Sequence, residues 1–516
     1  MNWKDYLILF FLAITSIIAF AAFQKAPGYM DAEYYYAMGL RIVNNHTLSE
    51  PFAWNYLNGF SGLPQPGFTF WMPAPAFLAG LSMLITRGIG FSHARAGFVI
   101  TSAFIPIIVA MATYKVTGKK EIGLTAGLLS VFSGFYAPFL TTIDSFGMIM
   151  LLGGAYLLVA QQCTERWKFY LMGLMVGLMH LSRADGFIWI IPAVFIAVSE
   201  KKNLLTRFLL IFFGYLNVMF PWFIRNWVVL GSPLPPGNSR MFWLTSYDDL
   251  FLYHIESLNF ITWSAQGLRS IINNISGALF ANLKTALFIQ GQIILLPLIL
   301  IGLFDYRKNR TIRSLVTTWI FAFVVMTVVF PFAGSRGGFF HSGAAFQPVF
   351  WLLAAVGLDR FIHWGINNRR WKEVQARPIL TAGLLVILMS VTAFVHNQRV
   401  RGSSTKDVQW NQGYLAAIEV DRKLEDLNIP EGELVMINNP PGLYIASGRS
   451  AITIPSGGIH EIFTAAAEAQ AGVLILESNH PESLDFLFNN PATQDGFDLM
   501  MVDDQIQYYR IILAAD

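Results

Sequence analysis

Eleven strongly apolar segments, joined by connections that are alternately rich and poor in lysine and arginine, constrain this chain more than any other feature. They cover residues 6–24, 95–114, 122–140, 145–162, 169–181, 187–199, 208–224, 288–304, 314–332, 343–358 and 379–395. A crossing of the hydrocarbon core takes about 20 mostly apolar residues, and in lipid the backbone must satisfy its own polar groups, which selects helices. The chain is 54% hydrophobic and only 13% charged, about half the charged fraction of a soluble domain. The expected fold class is a polytopic α-helical membrane protein.

The basic residues set its sidedness. Clusters fall at Lys115, Lys119 and Lys120; at Arg166 and Lys168; at Lys201, Lys202 and Arg207; at Arg307, Lys308, Arg310 and Arg313; and at Arg360, Arg369, Arg370, Lys372 and Arg377. With Lys4 these hold 18 of the 35 basic residues, in short connections, as cytoplasmic loops do. The parity holds if the eleven segments span and two weaker ones, 70–86 and 276–289, lie at the interface as juxtamembrane helices. Thirteen spans would invert the middle of the pattern. The N-terminus is then cytoplasmic and the C-terminus extracytoplasmic, in a multi-pass protein of the plasma membrane. Tyr6–Phe23 is longer than a signal-peptide apolar region and reads as an uncleaved first span.

Residues 1–396 form the membrane domain, with outer loops at 25–94 and 225–287. Residues 397–516 change character and read as a small extracytoplasmic α/β domain. Short apolar runs at 433–437, 451–454, 472–476 and 508–513 are expected strands, and 414–427 and 460–471 amphipathic helices. "NNPPGLYIASGR" (438–449) carries turn chemistry and lacks the spaced glycines of a dinucleotide loop. The net charge of +3 gives no ground for nucleic-acid binding. The single cysteine, Cys163, excludes an intramolecular disulfide framework and offers no cysteine-based metal site.

The chemistry gathers on the outer side. In "GYMDAEYYYAMGL" (28–40), Asp31 and Glu33 follow the first span; a helix starting at Ala32 would make Asp31 its N-cap and put Glu33 at the positive end of the helix dipole. Two residues apart, they face nearly opposite ways, so only one serves a given site directly. Asp144, in "YAPFLTTIDSFG", stands at a membrane edge, where an ionisable group is costly and a functional candidate, though it could also cap the next helix. Arg183 and Asp185, in "HLSRADGF", suit a local ion pair. Arg225, in "PWFIRNWVVLGSPLPP", and Arg336 with His341, in "FAGSRGGFFHSGAAFQP", are candidates for gripping a lipid phosphate. Arg95 is a less distinctive outer residue. No histidine pair has metal-ligand spacing. Asp31 and Asp144 are compatible with a divalent cation but do not define a site for one.

Taken in order, "MDAEYYYAMGL", "PQPGFTFWMPAPAFLAGLSMLI", "TTIDSFG", "LSRADGF" and "FPWFIRNWVVLGSPLPP" resemble the GT-C fold glycosyltransferases, in particular the protein O-mannosyltransferases and the lipid A aminoarabinose transferases. The resemblance covers about residues 1–400. It departs from the family where Ala32 separates Asp31 from Glu33, since several branches have an adjacent Asp-Glu. It implies transfer of a sugar, with inversion, from a polyprenyl-phosphate donor (undecaprenyl- or dolichyl-phosphate) to an acceptor hydroxyl on a protein, lipid or polysaccharide. In that reading Asp31 is the general base, Asp144 orients a substrate or holds a metal, and Arg225, Arg336 and His341 meet the leaving phosphate. Glu33, Arg183, Asp185 and Arg95 support them. Trp54, Tyr56, Phe68 and Trp71 could stack on a sugar, though packing is the commoner role of such aromatics. A transporter or flippase of lipid-linked sugars is the alternative. It would show inverted repeats and midplane polar groups, whereas these ionisable residues sit at the outer edge. A non-catalytic anchor for the tail is a third reading.

Overall fold

The computed structural model describes residues 1–161, 165–199, 203–253, 255–403 and 408–513. Cys163, Lys201 and Lys202 lie outside these. The chain folds as two compact units: residues 1–25, 71–224 and 274–409 form one, and residues 26–70, 225–273 and 410–516 the other.

The first unit is helical, and each of the eleven apolar segments coincides with a helix. They are Trp3–Ala21, Phe91–Thr117, the bent pair Lys120–Val131 and Gly134–Thr141, Phe146–Ala160, Arg166–Ser182, Ala184–Ser199, Leu204–Leu230, Leu296–Tyr306, Arg310–Val329, Gln347–Arg369 and Glu373–Arg401. Among the described residues six are long and apolar enough to cross a membrane, and a seventh if the pair bent by 65° counts as one. Leu296–Tyr306 has 11 residues, a rise of only about 16 Å. The weaker segment at 70–86 contains the helix Ala74–Thr86, and 276–289 lies within Gly267–Lys284 and the π-turn Thr285–Gln290.

Small residues let these helices approach, as they must where lipid provides no hydrophobic drive. A Cβ on Gly302 would lie 2.0 Å from the Leu353 carbonyl oxygen, and one on Gly357 2.0 Å from that of Leu298, so Leu296–Tyr306 and Gln347–Arg369 meet backbone to backbone.

Charged side chains from the basic connections converge. Asp359, almost fully buried, takes Lys119 at 3.1 Å and Arg377 at 2.7 Å; Arg360 pairs with Asp305 at 2.8 Å and Lys120 with Asp5 at 2.9 Å. Removing both Lys119 and Arg377 would strip this buried carboxylate of its two closest countercharges. Polar contacts of a different kind collect elsewhere: Gln24 donates to the Pro138 carbonyl at 2.8 Å, the Gly134 amide to the Thr392 hydroxyl at 3.1 Å, and His396 pairs with the Phe20 carbonyl at 2.9 Å.

The second unit is built on a five-stranded sheet. With β1 (Ser49–Glu50) and β2 (Gln65–Pro66) forming a separate antiparallel pair, the sheet comprises β3 (Leu434–Met436), β4 (Ala451–Ile452), β5 (Ala471–Leu476), β6 (Phe497–Asp503) and β7 (Ile506–Ile511), in the order β4-β3-β5-β7-β6. β4, β3 and β5 are parallel, and β7 and β6 antiparallel. The four expected strands are present. β6 was not anticipated, because its burial is too uneven for a clean alternation. The two amphipathic helices are Gln412–Asp426 and Ile459–Ala469.

"NNPPGLYIASGR" is corrected from turn to helix. Pro440–Ser447 is helical, capped by the Asn439 side chain at one end and left-handed Gly448 at the other; proline in the first turn is preorganised for this.

The segment around Ala53 completes the sheet. The Ala53 amide donates to Ala451 O at 3.0 Å and Thr453 N to Ala53 O at 2.8 Å, covering the β4 edge that would otherwise be exposed. Ala53, Tyr56 and Ile255 enter the core formed by Met436, Ile452, Leu474 and Tyr509.

Candidate functional site

In the second unit, "MDAEYYYAMGL" forms the start of helix Met30–Asn45. Its N-cap is Tyr29, extended at φ −162°, without a side-chain cap bond. The expectation that Asp31 caps a helix from Ala32 is therefore corrected: Asp31 lies inside the first turn, partly exposed, where its charge suits the exposed amides. The helix starts earlier because Tyr29 is held edge-on against Trp410, ring centroids 5.8 Å apart.

Glu33 points the other way. It is buried, and Asn439 Nδ2 donates to its carboxylate at 2.7 Å. Burial raises its pKa, opposed by that hydrogen bond.

The three tyrosines are core residues. Tyr34 Oη donates to Glu50 at 2.8 Å and accepts from the Phe68 amide at 2.8 Å. Gln65 Nε2 donates to the other Glu50 oxygen at 2.9 Å. Trp54 packs on Phe70 and Phe251, Tyr56 bonds the Thr453 carbonyl, and Phe68 meets Tyr34 edge-on, so these aromatics are packed rather than presented to solvent.

Glu50 was missed by sequence reasoning; "LSEPFAW" carries no signal that the side chain turns inward. Burial pushes its carboxyl up to about 7, against the hydrogen bonds from Tyr34 and Gln65 and the nearby charge of Arg225. Arg225, which also donates to Asn226 at 3.0 Å, thus has a titrating neighbour. The exposed value is 4.5, so in the unfolded chain the proton is lost first. The stability contributed by the neutral carboxyl is full below pH 4.5 and is lost as the pH rises to about 7, on the order of 3 kcal/mol. Glu50→Gln is expected to flatten that dependence. Thermal unfolding of the detergent-solubilised protein from pH 4.5 to about 8 checks it.

In the first unit, Asp144 is 1% exposed, and its Oδ2 lies 3.9 Å from His341 Nδ1. Its other oxygen accepts the Ser145 amide and hydroxyl. The following helix is capped at Ser145, so Asp144 is not its cap. His341 stacks on Phe146 at 4.1 Å. Burial and the Arg183 charge hold its imidazole well below the usual histidine range, which leaves it neutral at pH 7. A neutral ring serves as a ligand or hydrogen-bond partner rather than the cation expected for a phosphate.

Arg183 and Asp185 do form the expected pair, Nε to Oδ1 2.9 Å, and line a cavity with Met179, Trp189, Ser342 and Phe346. Arg336 is exposed in a π-turn, followed by Gly337 at φ 112°, a conformation suited to glycine. Arg95 donates to the Ala21 and Gln24 carbonyls, closing the end of the first helix.

A family model described as dolichyl-phosphate-mannose-protein mannosyltransferase matches residues 66–225. No curated protein sequence matches the chain. Among solved structures, ArnT from Cupriavidus metallidurans bound to undecaprenyl phosphate aligns with a TM-score of 0.60 at 12% identity, covering 99% of this chain and 98% of that one. The Archaeoglobus fulgidus oligosaccharyltransferase in complex with Zn and sulfate aligns with a TM-score of 0.57 at 14% identity, covering 90% of this chain and 67% of that one. The archaeal oligosaccharyltransferase AglB from the same organism, in complex with an inhibitory peptide and a dolichol-phosphate, gives 0.57 at 13%, covering 92% and 70%. The chain has the GT-C fold.

Proposed function

We propose that this protein is an integral-membrane inverting glycosyltransferase, moving a sugar from a polyprenyl-phosphate donor to an acceptor hydroxyl on the extracytoplasmic side. The observation that carries this reading is the end-to-end fold match to a protein bound to undecaprenyl phosphate. In the proposed reaction Asp31 takes the proton of the acceptor hydroxyl. The freed oxygen bonds to the anomeric carbon, and the bond from that carbon to the lipid phosphate breaks, its electrons leaving with the phosphate. Arg225 and Arg336 counter the charge that develops there.

Asp144 and His341 offer an oxygen and a neutral nitrogen, the donor types zinc accepts. An ion held by them would act as a Lewis acid toward the departing phosphate. Chelation of purified enzyme is then expected to abolish most transfer, with recovery on adding Zn²⁺, and His341→Ala to match the chelated enzyme. Full activity in excess EDTA would remove the metal.

The ion-pair convergence of Lys119, Lys120, Arg360 and Arg377 supports one cytoplasmic side for the basic connections, and eleven crossings are the count proposed. A cysteine at Lys119 is expected to stay unlabelled by an impermeant thiol reagent applied to intact cells and to label after lysis. Labelling from outside would overturn the orientation.

The activity itself is tested by incubating the purified protein with radiolabelled mannose, glucose or aminoarabinose on undecaprenyl or dolichyl phosphate, together with membrane fractions as acceptor. Label should leave the donor lipid and appear on acceptor. Label that crosses a vesicle bilayer while remaining on its lipid would indicate a flippase instead.

A further inference from the structure

The sheet of the second unit has a switch in its connections. From β3 the chain passes to β4 on one side, then returns to β5 on the other. In open α/β sheets the crevice beyond the carboxyl ends of two such strands is where a ligand sits. Here Asn438 and Asn439 follow β3 and Glu477 follows β5. Asn439 is committed at both ends of its amide: Oδ1 accepts the Gly442 amide at 3.1 Å, capping Pro440–Ser447, and Nδ2 donates to Glu33 at 2.7 Å. Its partner is the buried carboxylate in the first turn of helix Met30–Asn45, two residues after Asp31.

A second contact grips the entrance of that helix. Trp410 Nε1 donates to the Ala26 carbonyl at 3.1 Å, and a Cβ on Gly28 would lie 2.2 Å from the Trp410 ring.

We infer that Asn439 is a positioning residue: through Glu33 the C-terminal sheet holds the helix that carries Asp31, its crevice occupied by a piece of this chain rather than by a small ligand. The inference rests on the reading of Asp31 as the base for its consequence in catalysis, and on geometry alone for the holding contact. A hydrogen bond from an amide to a buried carboxylate is charge-assisted and directional. Small displacements of a catalytic group cost rate steeply, about 100-fold for 1 Å.

The test is a reciprocal swap. Asn439→Asp keeps the helix cap, because aspartate caps as well as asparagine, but faces Glu33 with a second carboxylate. Adding Glu33→Gln restores a donor and an acceptor with the roles exchanged. Hydrogen exchange of amides 30–38 should be at least about tenfold faster in Asn439→Asp and return to the wild-type rate in the double variant. With the labelled donor that wild type turns over, kcat should fall about 30-fold in Asn439→Asp, with the donor KM within about twofold, and recover in the double variant to within about threefold.

Unchanged exchange in Asn439→Asp, or a double variant no better than the single one, would overturn the inference. Asp31→Asn separates the two ideas. If that variant transfers sugar normally the base assignment fails, while the exchange data still decide the contact. If it is inactive and Asn439→Asp is fully active, only the positioning role fails.

Discussion

With Asp31 as the proposed base, Asp31→Asn should leave a folded, membrane-inserted protein with unchanged affinity for the lipid donor that transfers sugar at least about 100-fold more slowly, the lower end of what a positioned general base contributes. The substitution preserves size and leaves the helix intact, because Tyr29 and not Asp31 occupies the N-cap. The expected signature is a fall in kcat with donor KM within about threefold, as when an interaction made only in the transition state is lost. Loss of activity accompanied by an equal loss of lipid binding would assign Asp31 to the donor site instead. Wild-type transfer would remove it from the reaction.

Arg225→Ala should act on the other side of the displacement. Removing a preorganised donor aimed at developing charge costs about 10²–10³ in kcat, and loss of ground-state grip on the phosphate should raise donor KM as well. Arg225→Lys should recover only part of this, since a point charge does not reproduce the two-pronged guanidinium. The position of Glu50 adds a sharper expectation. Glu50→Gln removes the carboxyl that titrates beside Arg225 and should leave donor binding less dependent on pH between 5 and 7 than in wild type. Equal kcat and KM in Arg225→Ala and wild type would assign that arginine to the interface alone.

Much of the architecture was legible because lipid makes it so. Apolar length and the placement of Lys119, Arg360 and Arg377 depend on local composition, and the helices fall where those signals lie. Asp144 and His341 were visible as polar groups beside long apolar segments, where such groups are costly. The start of the helix carrying Asp31 was expected at Ala32, two residues later than Met30; Tyr29 packs there against Trp410, a contact that local propensity does not contain. Pro440–Ser447 could have been found: asparagine followed by two prolines is a helix opening, and the glycine after Ser447 a helix end. Glu50 and Asn439 could not. Glu50 is defined by Tyr34 and Gln65, 16 and 15 residues away with no periodic pattern linking them, and Asn439 by Glu33, 406 residues away.

That distance has a consequence for biogenesis. Tyr56 reaches its partner Thr453 only after 397 further residues have been made, about 20–80 s at ordinary rates of synthesis. Throughout that interval the strand neighbours of Ala53 do not exist, so the segment around Ala53 waits unpaired while later helices are still being made. A nascent chain stalled before residue 451 should therefore carry a protease-sensitive first loop. A segment made late thus closes one made early, and the unit that carries Asp31 stays incomplete until residues 451–453 have been synthesised.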